Sequence, residues 1–599
     1  MGRVRAIARP PRERVVVREL KILAGLARPH WRRYVVGLGA MAMTDVGNLA
    51  IPWIVGRFID EARAHHLTPD LAWRYGGAIV GVSLLVAVFR YLWRMNIFGT
   101  ARMIEFELRD RLFKHLITLS ADFFQRRTIG DMMAHATNDL QAVRALVGEG
   151  VMSGYDAAIL VVMAIGVSAI TIDWRLTLAS LLPLPLLAVF EWRLGRTIHL
   201  RYKDVQAAFG TLSERVQETV SGIRVIKAFV QEPATQNRFE QDNEAYYERV
   251  MRMTRLNSLN DPVITLLSGL SAVIALGYGG RLVLDGHLSV GQFTAFLAYL
   301  ATLAWPMLAI GWAANLAQRG TASMARIQAV LDEVPTVRDG TSARELQTPM
   351  GRIEIRDLSY RYGPDLPLVL DRLSLTVEPG RTLGIIGRTG SGKSTLANLL
   401  VRLYDPPRGT MFLDGQDLND LTLASVRGAI AYVPQDAFLF SDTLEANLSF
   451  DPAPHTAEEV RAIARVVNLD DEIARMPRGY ETMLGERGIT LSGGQRQRVG
   501  IGRALMKQAP ILVLDDCLSA VDTVTEARIL AELRPLMAER TTIVVSHRVS
   551  TVQHADEILL LDAGRVVERG THAELLDLGG SYRALHDRQR LEAAIALGG

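Results

Sequence analysis

Six long apolar stretches occupy the first 320 residues of the chain, and they limit its possible folds more than any other feature. They lie at 34–57, 76–97, 152–172, 176–198, 261–283 and 291–314. Each is close to the ~20 residues that a helix needs to cross the hydrocarbon core of a bilayer. Soluble domains rarely bury six such helices, so the stretches predict a membrane domain with six spanning helices.

The connections between these stretches alternate between short and long. Segments 98–151 and 199–260 are long, charged and helical in pattern, and they hold seven and nine Lys or Arg residues. Basic residues beside spanning helices tend to remain in the cytoplasm, and the N-terminus is basic too. We therefore expect a multi-pass protein of the cytoplasmic (inner) membrane, with both long segments and the C-terminal half in the cytoplasm.

Composition narrows the class of protein further. A chain of 599 residues is too long for one compact core, and a positive mean hydropathy beside 22% charged residues indicates a membrane part joined to a soluble part. The net charge of +3 is too small to indicate a nucleic-acid partner. Cys517 is the only cysteine, so no intramolecular disulfide can form, as expected for cytosolic mass. Nothing at the N-terminus resembles a cleavable signal.

The residue composition and the length of the apolar runs change after the last apolar stretch. Residues 325–350 are polar and predict a linker, and beyond them short β-branched runs such as RTLGIIG and ILVLDD alternate with helical patterns. That alternation predicts an α/β domain with a largely parallel core sheet. The predicted domains are an N-terminal cytoplasmic segment at 1–33, a membrane domain at 34–324, the linker at 325–350 and the α/β domain at 351–590.

A glycine-rich loop in the α/β domain predicts phosphate binding. The run LGIIGRTGSGKSTLANLL matches GxxxxGK[ST] between a strand and a helix, the context in which that pattern binds nucleotides. Backbone N–H groups and the start of the helix face the phosphates, Lys393 reaches the β- and γ-phosphates, and Ser394 can ligate Mg²⁺. ATP and Mg²⁺ are therefore the expected cofactors. The predicted binding residues are Gly387, Arg388, Thr389, Gly390, Ser391, Gly392, Lys393, Ser394 and Thr395.

A second strand pattern, ILVLDD, ends in two adjacent carboxylates. Asp515 stands where nucleotide hydrolases hold Mg²⁺, either directly or through water. We predict that Asp515 and Ser394 are metal ligands.

The run LSGGQRQR at 491–498 resembles the signature motif of ATP-binding cassette (ABC) proteins. The resemblance extends over nearly the whole chain and is greatest to bacterial type I exporters of the multidrug or lipid-flippase kind. It implies a polytopic α-helical membrane domain with six spanning helices, fused to an α/β P-loop ABC nucleotide-binding domain. It also implies a dimer in which the signature of one cassette closes over the ATP of the other. The signature residues that bind this ATP would be Ser492, Gly493, Gly494 and Gln495.

The resemblance also implies roles for three isolated residues. Tyr362 is similar to the aromatic residue that stacks on adenine, and Tyr360 is the weaker alternative. Gln435 in YVPQD resembles the glutamine that contacts both Mg²⁺ and the attacking water. His547 in VVSHR resembles the switch histidine at the γ-phosphate. Segment 519–522 (SAVD) is similar to a loop exchanged between cassettes.

Several segments resemble the parts that connect membrane domain and cassette. Segments 123–140 and 220–232 are similar to the cytoplasmic loops whose short coupling helices dock on the cassettes. LGERG at 484–488 resembles the segment that senses those helices. The basic segment before the first spanning helix resembles an amphipathic elbow helix on the membrane surface.

One residue departs from the family pattern. The position after the magnesium aspartate is normally Glu, the general base for water, whereas here it is Asp516. Asp is shorter by one methylene, about 1.5 Å, and misplacing a catalytic group by about 1 Å can cost on the order of 10²-fold in rate. Such replacements occur in one subunit of heterodimeric exporters. The departure therefore implies a partner half-transporter with an intact Glu. The alternative is a homodimer with two slow sites.

The resemblance implies ATP-driven export of amphipathic cargo (drugs, lipids or peptides), with membrane lipid as a further partner. Ionisable residues in the membrane domain either line a cavity or lie near the interface. Arg90 and Arg94 share a helix face, and they either favour anionic cargo or pair with residues such as Asp45. An ATP-gated channel or regulator is the competing function. The sequence does not identify the cargo.

Overall fold

The chain folds into two compact units. The computed structural model describes residues 12–65, 68–485, 488 and 491–598. The first unit holds the described residues up to Ile117 together with Ile129–Asp332, and the second holds Thr118–Thr128 together with the described residues from Glu333 onward. The finer domain boundaries given above remain predictions. Residues 1–11 of the N-terminal segment, and Glu486 and Arg487 of LGERG, lie outside the described residues.

Helices alone build the described part of the first unit. In chain order the α-helices up to Leu331 are α1 (Arg12–Ala27), α2 (Trp31–His65), α3 (Pro69–Leu116), α4 (Ala121–Arg126), α5 (Ile129–Ala134), α6 (Leu140–Ala145), α7 (Val151–Tyr155), α8 (Val161–Thr171), α9 (Trp174–Leu181), α10 (Pro183–Ser221), α11 (Ile223–Ala228), α12 (Glu232–Asn257), α13 (Asn260–Ile274), α14 (Gly280–Leu284), α15 (Val290–Thr302) and α16 (Ala304–Leu331). Of these, α4 belongs to the second unit. Short π-helical segments join several of them at His135–Asp139, Leu146–Gly150, Asp156–Leu160 and Ala275–Gly279.

Five helical runs among the described residues are long and apolar enough to cross a membrane. They are Arg18–Ala64, Pro69–Leu116, Ile129–Thr171, Trp174–Ser221 and Glu232–Leu284. The sixth apolar stretch is carried by the shorter apolar helix α15 and the start of α16. The fold therefore has about five or six spanning helices, which confirms the predicted helical membrane domain.

Prolines explain why two apolar stretches are not continuous helices. Pro306 has no N–H to donate to the carbonyl of Thr302, and α15 ends at that residue. In the same way, α9 ends at Leu181, and α10 begins two residues later at Pro183. Both breaks lie beside prolines that are visible in the sequence.

Ten strands and their connecting helices build the second unit over the residues that the structure describes. The strands are β1 (Ile353–Tyr360), β2 (Leu370–Val377), β3 (Thr382–Gly387), β4 (Met411–Leu413), β5 (Gln416–Asp417), β6 (Ile430–Val433), β7 (Ile511–Asp515), β8 (Thr541–Ser546), β9 (Glu557–Asp562) and β10 (Arg565–Gly570). The helices are α17 (Lys393–Leu400), α18 (Leu423–Ala429), α19 (Leu444–Leu448), α20 (Ala457–Val466), α21 (Asp470–Ala474), α22 (Gly493–Met506), α23 (Thr523–Ala538), α24 (Val549–Val552), α25 (His572–Leu578) and α26 (Ser581–Gly598).

The main sheet of this unit determines where the site lies. Its strand order is β10-β9-β3-β8-β7-β6, and the strands from β9 to β6 run parallel. Every residue of β7 and β8 is buried, as expected for a parallel sheet with both faces covered. Parallel strands place their carboxyl ends at one edge, so the residues that follow β3, β8, β7 and β6 meet there. A smaller antiparallel sheet has the order β2-β1-β4-β5.

Candidate functional site

The glycine-rich loop joins β3 to α17 in a conformation that only glycine adopts easily. Gly390 and Gly392 have φ of +82° and +102°, in the region that L side chains avoid. A Cβ on Gly392 would lie 2.9 Å from the carbonyl oxygen of Val369, and a Cβ on Gly387 would collide with the carbonyl of Leu561. These residues let the backbone form a concave turn at the start of α17. Arg388 and Thr389 lie exposed on its rim.

Lys393 lies in the mouth of this loop. Its Nζ donates to the carbonyl oxygens of Gly387 at 2.8 Å and Arg388 at 2.9 Å. Burial lowers the pKa of the Lys393 ammonium, and the nearby carboxylates of Asp516 and Asp515 oppose that shift. The cation thus stands among loop carbonyls, where it can meet phosphate oxygens.

Ser394 and Asp515 meet at the centre of the sheet edge. The Ser394 Oγ donates to the Asp515 Oδ1 at 3.1 Å, and the Tyr432 hydroxyl lies 3.4 Å from the Asp515 Oδ2. Asp515 is buried, and this burial raises the pKa of its carboxyl, with Asp516 adding to the shift and the Ser394 hydrogen bond opposing it. A hydroxyl and a carboxylate in this arrangement are the oxygen ligands that Mg²⁺ prefers.

The residues present therefore fit a nucleotide with its magnesium ion. The positive-φ turn presents backbone N–H groups at a helix start, and the Ser394–Asp515 pair supplies oxygen ligands beside it. Ser391 and Thr395 are buried beneath the loop.

Asp516 and His547 come together at the same edge. His547 follows β8, and its Nδ1 lies 2.8 Å from the Asp516 Oδ1. The Asp516 backbone N–H donates to the carbonyl of Val545 at 2.8 Å. Two residues that the sequence singled out separately thus form one polar pair.

Gln435 lies at the end of the adjacent strand. It follows β6, which pairs in parallel with β7, and its side chain is exposed. Its carbonyl accepts a long hydrogen bond of 3.5 Å from the Nε2 of Gln497 on α22. Gln435 therefore stands next along the sheet from Asp515.

Tyr362 is placed beside the loop helix by side-chain contacts. Its hydroxyl donates to the Thr395 Oγ1 at 3.0 Å, and its ring makes edge contacts with Tyr360 and Tyr404 at centroid distances of 5.2 and 5.0 Å. Tyr362 is exposed whereas Tyr360 is half-buried, so Tyr362 offers the more accessible ring.

The signature residues form the start of α22. Ser492 is the N-cap in a reciprocal capping box with Gln495, with bonds of 2.8 and 3.2 Å. Gly494 approaches Ala520 so closely that a Cβ would lie 3.0 Å from its carbonyl oxygen. Among the described residues, no hydrogen bond joins Ser492, Gly493, Gly494 or Gln495 to the phosphate loop of the same chain.

The structure adds polar residues that the sequence analysis missed. Glu472 accepts from Gln495 at 2.7 Å and from Arg498 at 3.0 Å, which ties the signature to α21. Burial raises the pKa of Glu472, but these hydrogen bonds outweigh it and lower the pKa overall. Tyr432 is the first residue of YVPQD, the motif that contains Gln435, so the sequence offered a signal for it. Glu472 is an isolated acid in a helix, and no sequence signal marks it.

The helices at the two predicted coupling segments differ in their contacts. The helix α4 (Ala121–Arg126) overlaps the start of segment 123–140, and the contacts below are made by its first residues and by Ser120 just before it. In the second unit, α4 packs Ala121 against the core beneath the small sheet. The Ser120 Oγ accepts from the N–H of Val337 at 2.9 Å, and the Asp122 Oδ1 accepts from the Thr336 hydroxyl at 2.9 Å. By contrast, α11 within 220–232 is almost wholly exposed.

Fold and site together define a membrane-spanning protein with a phosphate-loop nucleotide-binding domain. Comparison with known proteins narrows the class. The ABC transporter transmembrane region matches residues 35–307, and the ABC transporter model matches residues 370–519.

Curated relatives match over almost the whole chain. The probable multidrug resistance ABC transporter ATP-binding/permease protein YheI of Bacillus subtilis (strain 168) is 38% identical over 96% of this chain and 98% of its own length. The multidrug resistance-like ATP-binding protein MdlA of Escherichia coli (strain K12) is 38% identical over 95% and 96%. The ATP-dependent lipid A-core flippase of Syntrophus aciditrophicus (strain SB) is 33% identical over 95% and 94%.

A solved structure agrees with these relatives. A bacterial Atm1-family ABC exporter with ATP bound superposes with a TM-score of 0.76 at 28% identity, covering 93% of this chain and 99% of that one. The chain belongs to the ABC transporters, as an exporter half-transporter with its transmembrane and nucleotide-binding domains fused. It is an ATPase-coupled exporter and a multi-pass inner-membrane protein with a cytoplasmic nucleotide-binding domain, which confirms the predicted class and location.

Proposed function

We propose that this chain exports amphipathic cargo across the inner membrane as the slow-site subunit of a heterodimer. The partner is a second half-transporter with Glu at the position of Asp516. The observation that carries the proposal is Asp516, a shortened base bound to His547 at 2.8 Å, on a chain whose LSGGQ motif is intact.

The phosphate site of this chain is proposed to bind ATP fully. The loop N–H groups and Lys393 hold the phosphates, and Ser394, Asp515 and Gln435 hold the magnesium ion. A magnesium ion held by these residues would supply positive charge that neutralises the phosphate oxygens. Tyr362 stacks on the adenine. The 3.1 Å bond between Ser394 and Asp515 supports this assignment, because it already places two oxygen ligands side by side.

Hydrolysis at this site is proposed to be slow because Asp516 reaches less far. A general base must come within hydrogen-bond reach of the water that it activates. The Asp516 carboxylate is one methylene short, and one of its oxygens already contacts His547. His547 remains available to contact the γ-phosphate. The site therefore binds ATP and closes over it, but it hydrolyses ATP slowly.

The signature of this chain is proposed to complete the partner's competent site. Ser492, Gly493 and Gly494 begin α22, where backbone amides and the helix dipole favour a γ-phosphate. Among the described residues, their contacts are with Gln495 and Ala520 rather than with the phosphate loop. This is the arrangement expected if they serve a nucleotide on another subunit.

The cargo is proposed to be a drug, lipid or peptide with both apolar and charged parts. The relatives include proteins named for multidrug resistance and a lipid A-core flippase. In α3, Arg90 and Arg94 are exposed, and in α2 Asp45 is buried within electrostatic reach of Arg90. Exposed cations on a spanning helix favour a cavity that accepts an anionic headgroup.

Copurification from the native membrane tests the proposal. The tagged chain should bring down a second ABC subunit with Glu after its magnesium aspartate, together with bound amphiphiles that mass spectrometry can identify. Readdition of those amphiphiles to the complex in lipid nanodiscs should stimulate ATPase. A complex that contains only this chain would contradict the heterodimer.

An ATP-gated channel or regulator is the second candidate, and the same short base favours it. In such a protein ATP binding drives the conformational change, and ATP hydrolysis is not needed for it. Cargo would then leave the ATPase rate unchanged, while ATP alone would alter conductance in a planar bilayer. A homodimeric exporter is the third arrangement, and the mass of the intact complex identifies it.

A further inference from the structure

The C-terminal helix α26 makes a two-point contact with the loop that carries His547. The Gln589 Nε2 donates to the carbonyl oxygen of His547 at 2.8 Å. The Gln589 Oε1 accepts from the backbone N–H of Val549, also at 2.8 Å. The single amide group of Gln589 thus satisfies one backbone carbonyl before Arg548 and one backbone N–H after it.

The Arg548 side chain holds the same loop from its other side. Its Nη1 lies 2.5 Å from the Oε2 of Glu526, which is buried, and its Nη2 donates to the Ser519 carbonyl at 3.1 Å. The other oxygen of Glu526 accepts from the Thr551 hydroxyl at 2.7 Å. The backbone of the loop is therefore held by α26, and the Arg548 side chain by α23 and the SAVD segment.

The contacts continue to the signature helix. The Gln497 Nε2 donates to the Ser519 hydroxyl at 3.0 Å, and its Oε1 accepts from the N–H of Ala520 at 2.9 Å. A continuous series of hydrogen bonds thus runs from α26 through the His547 loop and the SAVD segment to α22. Rigid networks of this kind hold catalytic groups in place.

We propose that Gln589 is a positioning residue for His547. It fixes the backbone of the His547 loop, so that the imidazole stays beside Asp516 and faces the nucleotide. The proposal rests on the role proposed above for His547. It makes the C-terminal helix, which carries none of the sequence motifs, a part of the ATP site.

Hydrogen exchange tests the contact directly. The full chain with its natural partner, in lipid nanodiscs, is compared with Gln589→Met, which keeps the length of the side chain and removes both hydrogen bonds. Amides of residues 547–552 should exchange several-fold faster in the variant, while the phosphate loop is unchanged. Arg590→Ala, at an exposed neighbouring position on α26, is the matched control and should exchange as wild type does. Unchanged exchange in 547–552 would overturn the proposal.

A double-mutant cycle tests the route of the effect. Hydrolysis by this chain's own site is isolated by replacing the partner's catalytic Glu with Gln. In that complex Gln589→Met should lower kcat several-fold and leave KM for ATP within about twofold, and it should cause no further loss in a His547→Ala background. Additive losses, or a loss of ATP affinity alone, would overturn the proposal. If His547→Ala itself leaves the rate of the isolated site unchanged, the role proposed for His547 is wrong, and the exchange rates of residues 547–552 alone decide whether Gln589 holds the loop.

Discussion

Asp516 adopts a left-handed backbone conformation, with φ of 46°, at the point where the chain leaves β7. Its N–H continues the bonding of the sheet by donating to Val545 of β8, and its carboxylate turns toward His547. Asp is several-fold enriched in this region of φ among residues other than glycine. The shorter residue therefore suits the local backbone, and Glu at this position would gain reach at the expense of a less favourable conformation.

The Asp516 side chain gives a direct test of the slow site. Asp516→Asn should leave the ATPase rate of the heterodimer within about twofold of wild type, because the partner's Glu carries most turnover. Asp516→Glu should restore reach to the water and raise hydrolysis at this site. Steady-state phosphate release, at matched nucleotide and cargo, measures both.

The control for these variants is Asp577→Asn, which removes an exposed carboxylate on α25. Loss of hydrolysis in Asp516→Asn would make Asp516 a working base. That result would favour the homodimer over the heterodimer.

Gly392 tests whether the loop shape itself is required. Gly392→Ala combines a strained φ with a Cβ 2.9 Å from the Val369 oxygen, and should cost about 1–3 kcal/mol of local stability. We expect ATP affinity at this site to fall by at least about tenfold, because Lys393 begins the helix that the clash displaces. Filter binding of radiolabelled ATP at equilibrium measures the change.

Gly409→Ala is its matched control. Gly409 has a similar φ of +75°, but open space surrounds its Cβ position. Gly409→Ala should therefore introduce the same backbone strain without a steric clash. Equal losses of ATP affinity in both variants would contradict a specific role for the loop shape.

At the scale of elements, α4 is the short helix that contacts the cassette core in the second unit. Ser120, immediately before α4, accepts from the buried N–H of Val337, and Ala121 packs on the hydrophobic core. A buried N–H without an acceptor costs about 1–3 kcal/mol. The Ser120 hydroxyl therefore contributes to the position of α4, together with the Asp122–Thr336 hydrogen bond and the packing of Ala121.

Removing that hydroxyl should loosen the helix. Ser120→Ala should lower cargo-stimulated ATPase by about threefold or more and change basal ATPase little, because the cassette site itself is untouched. Thr137→Ala is the control, because the Thr137 hydroxyl donates to the Met133 carbonyl in the preceding helical turn at 2.7 Å, and it should behave as wild type. If stimulation survives in Ser120→Ala, α4 does not carry the coupling.

At the scale of the whole molecule, the proposed heterodimer assigns the phosphate loop and the signature of this chain to two different ATP sites. Lys393 serves this chain's own slow site, while Ser492 would serve the partner's fast one. Lys393→Ala should therefore reduce the ATPase rate of the complex only in part. Ser492→Ala should reduce it more, by about tenfold or beyond.

The measurement is kcat of the purified complex with one altered subunit. Ala at Ser258, an exposed hydroxyl of the membrane unit, is the control for loss of a serine. An equal or milder loss from Ser492→Ala would contradict the asymmetric assignment. Complete loss from Lys393→Ala would indicate two equivalent sites.

The sequence alone determined the apolar stretches and the phosphate loop, because each depends on neighbouring residues. Hydropathy over about 20 residues identifies a spanning helix whatever it packs against. The glycines of the loop and Lys393 lie within a few positions of one another, so their pattern is readable without a fold. The same holds for the cap at Ser492 and the strand that ends at Asp515.

Only the tertiary structure decided which of these residues meet. Asp516 and His547 are 31 positions apart, and His547 and Gln589 are 42 apart. They come together because β7 and β8 lie side by side in the sheet and α26 returns to the loop after β8. Long-range pairing of this kind depends on strand order and helix packing, and local sequence patterns carry no information about either. For that reason the sequence pointed to Asp516 and His547 separately, and it gave no sign of Gln589.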